Sequence, residues 1–444
     1  MTPDGVPVPG AAVPADRPAP GPAQIAAHDE RAAYLAEMCQ VLWPAPARVY
    51  LPGADGRPAA DTGASTGAST GASELIVLPG ARRPRLIVPA GRRQAAAAVR
   101  RYGEPGSMQA RLATRGLSVL LRSGIGGAVL RDRLRVQVPA GAPTIESYLR
   151  AQLGLDIAVS MHLGAARANR KPVLQLLTPD GTTVGFAKIG TSPLTRELVS
   201  AERAALARLA DARLAGLTVP AVLHYGSWQD LPVLVLSPLP VWQRRTPLLP
   251  GRLALAMSQV AGVAGIERGP LIASGYWRAL ARRLAAADDT ADRSALVAVL
   301  GGIGSQAGSA EVSFGAWHGD WTPWNMASTR GGLLVWDWER FSVGVPFGFD
   351  ALHCWLQAQV VSGQRDPRTA AAECLTRAPD LLAPLHVAAD EARCTALAYL
   401  AELATRYLAD RQAAAGARLG APGRWLIPAL AAELTAGTKG IRSW

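Results

Sequence analysis

The chain has 444 residues, 49% hydrophobic and 18% charged, so it can bury a large core and is not a mainly disordered protein. Its charge of +12, from 46 basic and 34 acidic residues, suits anionic ligands such as phosphates better than cationic ones. Four cysteines (Cys39, Cys354, Cys374 and Cys394) lie far apart without a CxxC pair, which speaks against a disulfide scaffold or a cysteine zinc site.

Residues 1–24 carry seven prolines and little that could enter a core, so a disordered tail is expected there. The apolar spacing of Ala32, Leu35, Met38, Val41 and Leu42 predicts an amphipathic helix over 24–42. The repeat GASTGASTGAS at 63–73 reads as a flexible linker, so residues 1–73 are taken as tail, helix and linker. Residues 74–150 then form a basic accessory segment, with strands at 74–78 and 85–88 and helices at 92–102 and 108–123. Between 74 and 135, thirteen arginines stand against Glu74, Glu104 and Asp132. That face is either a solvated surface or a surface for nucleic acid, acidic lipid or phosphate, and no zinc-finger, RRM or helix-turn-helix signature favours nucleic acid.

Residues 151–240 read as a sheet-forming lobe. Strands at 173–178 and 183–189 flank the turn Pro179-Asp180-Gly181, and a helix is predicted at 195–215. Two more strands follow at 218–224 and 232–236, with Gly226 and Asp230 between them. Residues 241–444 are mostly helical except at 316–338, so a cleft between two lobes is expected. No apolar run reaches the ~18 residues of a membrane span. The start, MTPDGVPVPG, lacks the basic and apolar regions of a signal peptide, so a cytoplasmic protein is expected.

The chemistry is concentrated in residues 316–339, AWHGDWTPWNMASTRGGLLVWDWE. Asn325 follows Asp320 by five positions, and Asp337 and Glu339 come after a short hydrophobic run. Phosphoryl transfer from a nucleotide needs a carboxylate to orient and deprotonate the acceptor hydroxyl, and hard oxygen ligands for Mg²⁺. Asp320 suits the base, and Asn325 and Asp337 suit the metal. Arg330-Gly331-Gly332 predicts a hairpin turn that would bring those two ligands side by side.

The pattern H-G-D-x-x-x-x-N, a hydrophobic strand and D-W-E resembles the signature of aminoglycoside phosphotransferases and their choline kinase and sugar kinase relatives. The resemblance spans roughly residues 158–444. It implies an α+β, two-lobed protein-kinase-like fold, with an antiparallel-sheet N-lobe and a mostly helical C-lobe; the extra N-terminal α/β segment precedes it. By the same resemblance Asp320 is the catalytic aspartate, Asn325 and Asp337 are the metal ligands, and Asp350 in Gly348-Phe349-Asp350-Ala351-Leu352 is a structural residue bonding back to the catalytic loop. Lys188 in Phe186-Ala187-Lys188-Ile189 matches the nucleotide-contacting lysine. Glu202, spaced from Leu206 as in the family's E-x-x-x-L helix, is preferred over Glu197 as its partner. Val233–Leu239 resembles the adenine-accepting hinge; Pro238 has no N–H, so the donor is Ser237 or Leu239. ATP, with GTP as the alternative, and Mg²⁺ are the implied cofactors. The nucleotide and a small-molecule acceptor are the implied partners, and the oligomeric state is left open. The stretch 163–172, LGAARANRKP, departs from the expected glycine-rich phosphate loop. Arg167, Arg170 and Lys171 either contact phosphates there or decorate an exposed loop.

His318 is expected to brace the catalytic loop, and the other histidines, His353 among them, to be ordinary surface or core. Of the clustered tryptophans, Trp321 and Trp324 lie in the catalytic loop, where stacking on a substrate is plausible. Asp390, Glu391 and Glu402 are the candidate acids for a cationic acceptor. A function of another class stays open: a catalytically silent kinase-like scaffold acting through its basic N-terminal segment.

Overall fold

The computed structural model describes residues 22–51, 71–102, 108–124 and 126–441. Most of the expected tail and of the 63–73 repeat lies outside the described residues. The chain folds as expected into an α+β, two-lobed protein-kinase-like architecture, but its sheet is larger than the N-lobe alone requires. Among the described residues, ten strands precede the helical half: β1 Arg48–Tyr50, β2 Gly71–Leu78, β3 Leu86–Pro89, β4 Arg133–Val138, β5 Ala158–His162, β6 Val173–Leu177, β7 Thr183–Ile189, β8 Leu217–Thr218, β9 Val222–Trp228 and β10 Leu231–Leu236. All but β8 join one antiparallel sheet in the order β1-β4-β2-β3-β5-β6-β7-β10-β9.

The joint between the two groups of strands is the β3–β5 pairing, with Leu86 opposite His162 and Ile87 opposite Met161. The sheet therefore runs unbroken past residue 150, where the sequence suggested a separate accessory unit. The run Leu75-Ile76-Val77-Leu78 in β2 is buried on both faces. Leu75 and Val77 pack with the helix Pro22–Leu42, through Met38 and Leu42. Ile76 and Leu78 point the other way, onto Ala95, Ala98 and Val99 of the helix Arg92–Tyr102. Trp43, at the end of the first helix, donates its Nε1–H to the Glu146 carboxylate at 2.9 Å, and Trp228 of β9 donates to the Val41 carbonyl at 2.8 Å. The first helix is thus built into the lobe's core.

The helix Pro193–Ala210 opens with a Ser192/Thr195 capping box and Pro193 in its first turn. It ends short of the expected residue 215, and Gly216 at φ 71° turns the chain into β8. The strand expected at 218–224 is split around Pro220, which has no N–H to give a ladder. Gly226 lies within β9, and the turn falls instead at Gln229-Asp230, both with positive φ.

The C-lobe is helical around a core that includes Trp338, Phe349, Leu352 and Tyr399. It holds more strand than its sequence pattern suggested: β11 Glu267–Pro270, β12 Glu311–Trp317, β13 Met326–Thr329, β14 Gly332–Val335 and β15 Ser342–Pro346. β11, β12 and β15 form one small sheet; β13, β14 and β8 form the other. Largely exposed β11 (Glu-Arg-Gly-Pro) carries no apolar alternation to betray it. No helix among the described residues is long and apolar enough to cross a membrane.

If the first helix is part of the N-lobe core, Met38→Ala should lower unfolding stability by about 2–5 kcal/mol. A urea titration reads this, and a cost below about 0.5 kcal/mol would show the helix to be dispensable.

Candidate active site

Lys188, near the end of β7, is nearly buried and sits between carboxylates from both lobes. Its Nζ donates to Glu202 Oε1 at 2.7 Å and Oε2 at 2.6 Å, and to Asp337 Oδ1 at 2.7 Å. Burial by itself would drive the lysine pKa down, but Asp337, Glu202 and Glu339 outweigh it and hold the pKa well above the usual lysine value. Burial likewise works to raise the Asp337 pKa, and Lys188 and Lys171 overcome it, leaving the carboxyl far below its normal range. Glu202, on the helix Pro193–Ala210, is fully buried and also accepts the Trp338 backbone N–H at 3.2 Å. Of the two glutamates considered for Lys188, the structure joins Glu202 to it.

The β13–β14 hairpin turns at Arg330-Gly331, with Thr329 opposite Gly332 and Met326 opposite Val335. Its open end carries Asn325 on one side and Asp337 on the other, tied by the Trp336 N–H to the Asn325 carbonyl at 3.1 Å. Asp337 adopts φ 73°, ψ 55°, a conformation that costs a non-glycine residue about 1 kcal/mol or more and is held here by its neighbours.

The His318–Asp320 segment is clamped from the C-lobe. Asp350, at the start of the helix Phe349–Gln357, accepts the backbone N–H of His318 at 2.7 Å and of Gly319 at 3.2 Å. Burial raises its pKa to about 7 against the pull of those two donors. Arg406 donates to the Gly319 carbonyl at 2.7 Å. Gly319 has φ 84°, and a Cβ there would collide with the Arg340 carbonyl, which explains the glycine between His318 and Asp320. His318 is fully buried, which lowers its pKa to about 4 and keeps it neutral. Its Nδ1 accepts the Asp320 N–H at 3.1 Å, and its Nε2 lies 3.1 Å from the Trp336 carbonyl.

Asp320 itself is about one-third exposed. Its Oδ2 accepts from Asn325 Nδ2 at 2.9 Å, and its Oδ1 lies 3.0 Å from His353 Nε2. His353 was the residue missed in the sequence. It is buried as core residues are, but its ring is spent on Asp320. The available signal was its position three residues after Asp350, on the same helical face.

Several expectations are corrected. Trp321 is fully buried, its Nε1–H toward Met326 Sδ and its ring against His318 and Trp338, so it packs the loop and does not reach a substrate. Trp324 is 37% exposed. Lys171 does not decorate an exposed loop: it forms a buried ion pair with Glu339, which also accepts from Asn169 at 3.2 Å. Arg170 stacks over the Tyr34 ring of the first helix at 3.8 Å and pairs with Glu30 at 3.4 Å. At the hinge, the Ser237 N–H is engaged by the Ala221 carbonyl, so Leu239 carries the donor that is left. Glu391 and Glu402 are committed to Arg268 and Arg283. They are not acids waiting for a cation. Glu402 and Arg283 line a cavity of about 660 Å³ with Tyr276 and Phe314, and Asp320, Asn325 and Asp337 are not among its walls.

A two-lobed fold with a lysine–glutamate pair facing an H-G-D loop and its Asn and Asp defines a protein-kinase-like phosphotransferase. Residues 172–385 match the family model described as the phosphotransferase enzyme family, and the protein is a small-molecule kinase. No curated protein matches the chain. Similar solved structures include a thermostable mutant of aminoglycoside phosphotransferase APH(4)-Ia with ADP and hygromycin B, at 14% identity and TM-score 0.44, covering 66% of this chain and 98% of that one. The streptomycin–ATP–APH(2")-IIa ternary complex is similar at 13% identity and TM-score 0.34, over 53% and 87%. ADP-bound APH(2'')-Ib is similar at 13% and 0.35, over 57% and 97%.

The Lys171–Glu339 pair bears on stability. Glu339→Leu strands a buried ammonium and should cost about 3–5 kcal/mol, whereas Lys171→Met with Glu339→Leu should recover most of that loss. Equal costs for the single and double variants, measured by thermal unfolding, would rule out the pairing.

Proposed function

We propose that this protein transfers the γ-phosphate of ATP to a hydroxyl group of a small molecule, with Asp320 as the base. The observation that carries the reading is the convergence of Lys188, Glu202 and Asp337 at 2.6–2.7 Å, beside a separately anchored Asp320–Asn325 pair. A buried lysine held charged by two carboxylates is suited to an anionic phosphate chain. The Leu239 N–H suits an adenine at the hinge.

The donor set also fits Mg²⁺. Asn325 turns its amide nitrogen to Asp320, so its Oδ1 takes no hydrogen bond among the described residues, and Asp337 supplies a permanently ionised carboxylate. Bound there, Mg²⁺ would neutralise charge on the β- and γ-phosphates. Asp320 would orient the acceptor hydroxyl and take its proton as the oxygen bonds to phosphorus and the bond to the ADP oxygen breaks. His318 and Asp350 would keep the loop's backbone in place. Because Glu391 and Glu402 are neutralised by arginines, a sugar or related neutral or anionic metabolite fits better than a polycationic antibiotic as acceptor.

Melting temperature with ATP or GTP, with and without Mg²⁺, tests the site. Nucleotide at ~100 times its dissociation constant adds about 2.7 kcal/mol, a rise of a few degrees. Asp337→Ala should abolish the magnesium-dependent part. Asp320→Asn should keep the shift while turnover of ATP falls by about 10²-fold or more. No shift with either nucleotide would leave the scaffold reading standing, and full turnover in Asp320→Asn would rule out the base.

A further inference from the structure

His353 takes no part in the chemistry described above, yet it is 2% exposed and bonded through both ring nitrogens. Nε2 lies 3.0 Å from Asp320 Oδ1, and Nδ1 lies 3.0 Å from the Tyr399 hydroxyl. Tyr399 is fully buried on the helix Ala389–Ala409, and burial raises its pKa well above the normal value, so it stays a phenol with one proton to donate. Burial also lowers the His353 pKa, so the imidazole is neutral and carries one proton.

One arrangement satisfies all three groups. The Tyr399 O–H donates to Nδ1, and Nε2–H donates to the Asp320 carboxylate. The opposite tautomer would set the Nε2 lone pair against a carboxylate oxygen and leave the buried tyrosine proton with no acceptor shown among the described residues. The hydroxyl therefore decides which nitrogen faces the base. Asp320 is then held on both oxygens, by His353 on Oδ1 and by Asn325 on Oδ2. Its carboxylate cannot rotate without breaking a bond to a different part of the C-lobe. His353 cannot accept the acceptor's proton, because one nitrogen already carries a proton aimed at Asp320 and the other is capped. Its contribution is orientation.

We propose that His353, set in its Nε2–H tautomer by Tyr399, is the positioning residue that fixes the Asp320 carboxylate to take the proton of the hydroxyl that attacks the phosphate. The same helix thus serves the loop twice: Asp350 grips its backbone, and His353, three residues on, grips its side chain. This inference rests on Asp320 being the base. Misplacing a catalytic group by about 1 Å costs roughly 10²-fold in rate, which sets the scale of the effect.

The experiment has two arms. In the first, ADP release from MgATP, with water as the acceptor, is measured for wild type, His353→Leu, His353→Gln and Tyr399→Phe. His353→Leu should lower kcat by about 10–100-fold with KM for MgATP held within about twofold, and Tyr399→Phe by a few fold. His353→Gln, which retains an N–H donor at similar reach, should recover most of the loss and remains informative if the leucine variant does not fold. In the second arm, nitrogen-15 NMR of histidine-labelled protein, assigned with His353→Gln, should show the His353 ring protonated at Nε2 alone. A ring protonated at Nδ1, a leucine variant with unchanged kcat, or a loss confined to KM would each overturn the positioning role. Wild type with the expected tautomer but no turnover would instead overturn the kinase reading and the catalytic consequence drawn from it, while the ring geometry stood.

Discussion

The junction of the two lobes depends on one buried ammonium. Lys188 belongs to the sheet lobe, Asp337 to the helical lobe and Glu202 to the helix lying between them, and the three meet within 2.7 Å. A lone cation at that depth would cost several kcal/mol to desolvate, as would either carboxylate. Each is tolerable only because the others are present, so the pair of lobes and the intervening helix must come together as one arrangement. The Trp338 N–H bond to Glu202 extends that constraint to the backbone after Asp337, where the left-handed conformation needs outside support.

A second set of restraints acts on Asp320. Asp350 and Arg406 hold the peptide groups beside it, His318 holds its N–H, and Asn325 and His353 hold its carboxylate. These groups come from one short helix, one long helix and the loop itself. The aromatic neighbours, Trp321 and Trp338, are fully buried and pack around the His318 ring behind the loop. Rigidity here comes from the C-lobe core, and about one-third of the Asp320 side chain stays exposed.

The N-terminal segment contributes through the sheet. By adding β1 to β4 beyond β5, it removes the edge that β5 would otherwise expose. The first helix covers the enlarged face and reaches Arg170 through Tyr34 and Glu30. Next to it, Lys171 crosses to Glu339. Where a glycine-rich loop would follow phosphates by backbone flexibility, this loop is tethered at two of its three basic residues, Arg170 and Lys171.

The parts whose chemistry is local can be read along the chain. His318-Gly319-Asp320, Asn325 and Asp337 fall within twenty residues, and their loop, hairpin and glycine follow from short-range sterics that spacing reveals. The two helices of the basic segment were legible from their apolar period for the same reason. The rest depends on long-range packing. The β3–β5 joint, the Lys171–Glu339 pair and the placing of His353 on Asp320 each unite residues far apart in the chain, and no local pattern records which distant partner a side chain will meet. Buried Trp321 makes the same point in reverse: the sequence places it in the catalytic loop, but the direction of its ring is set by the space that Trp338 and Met326 leave open.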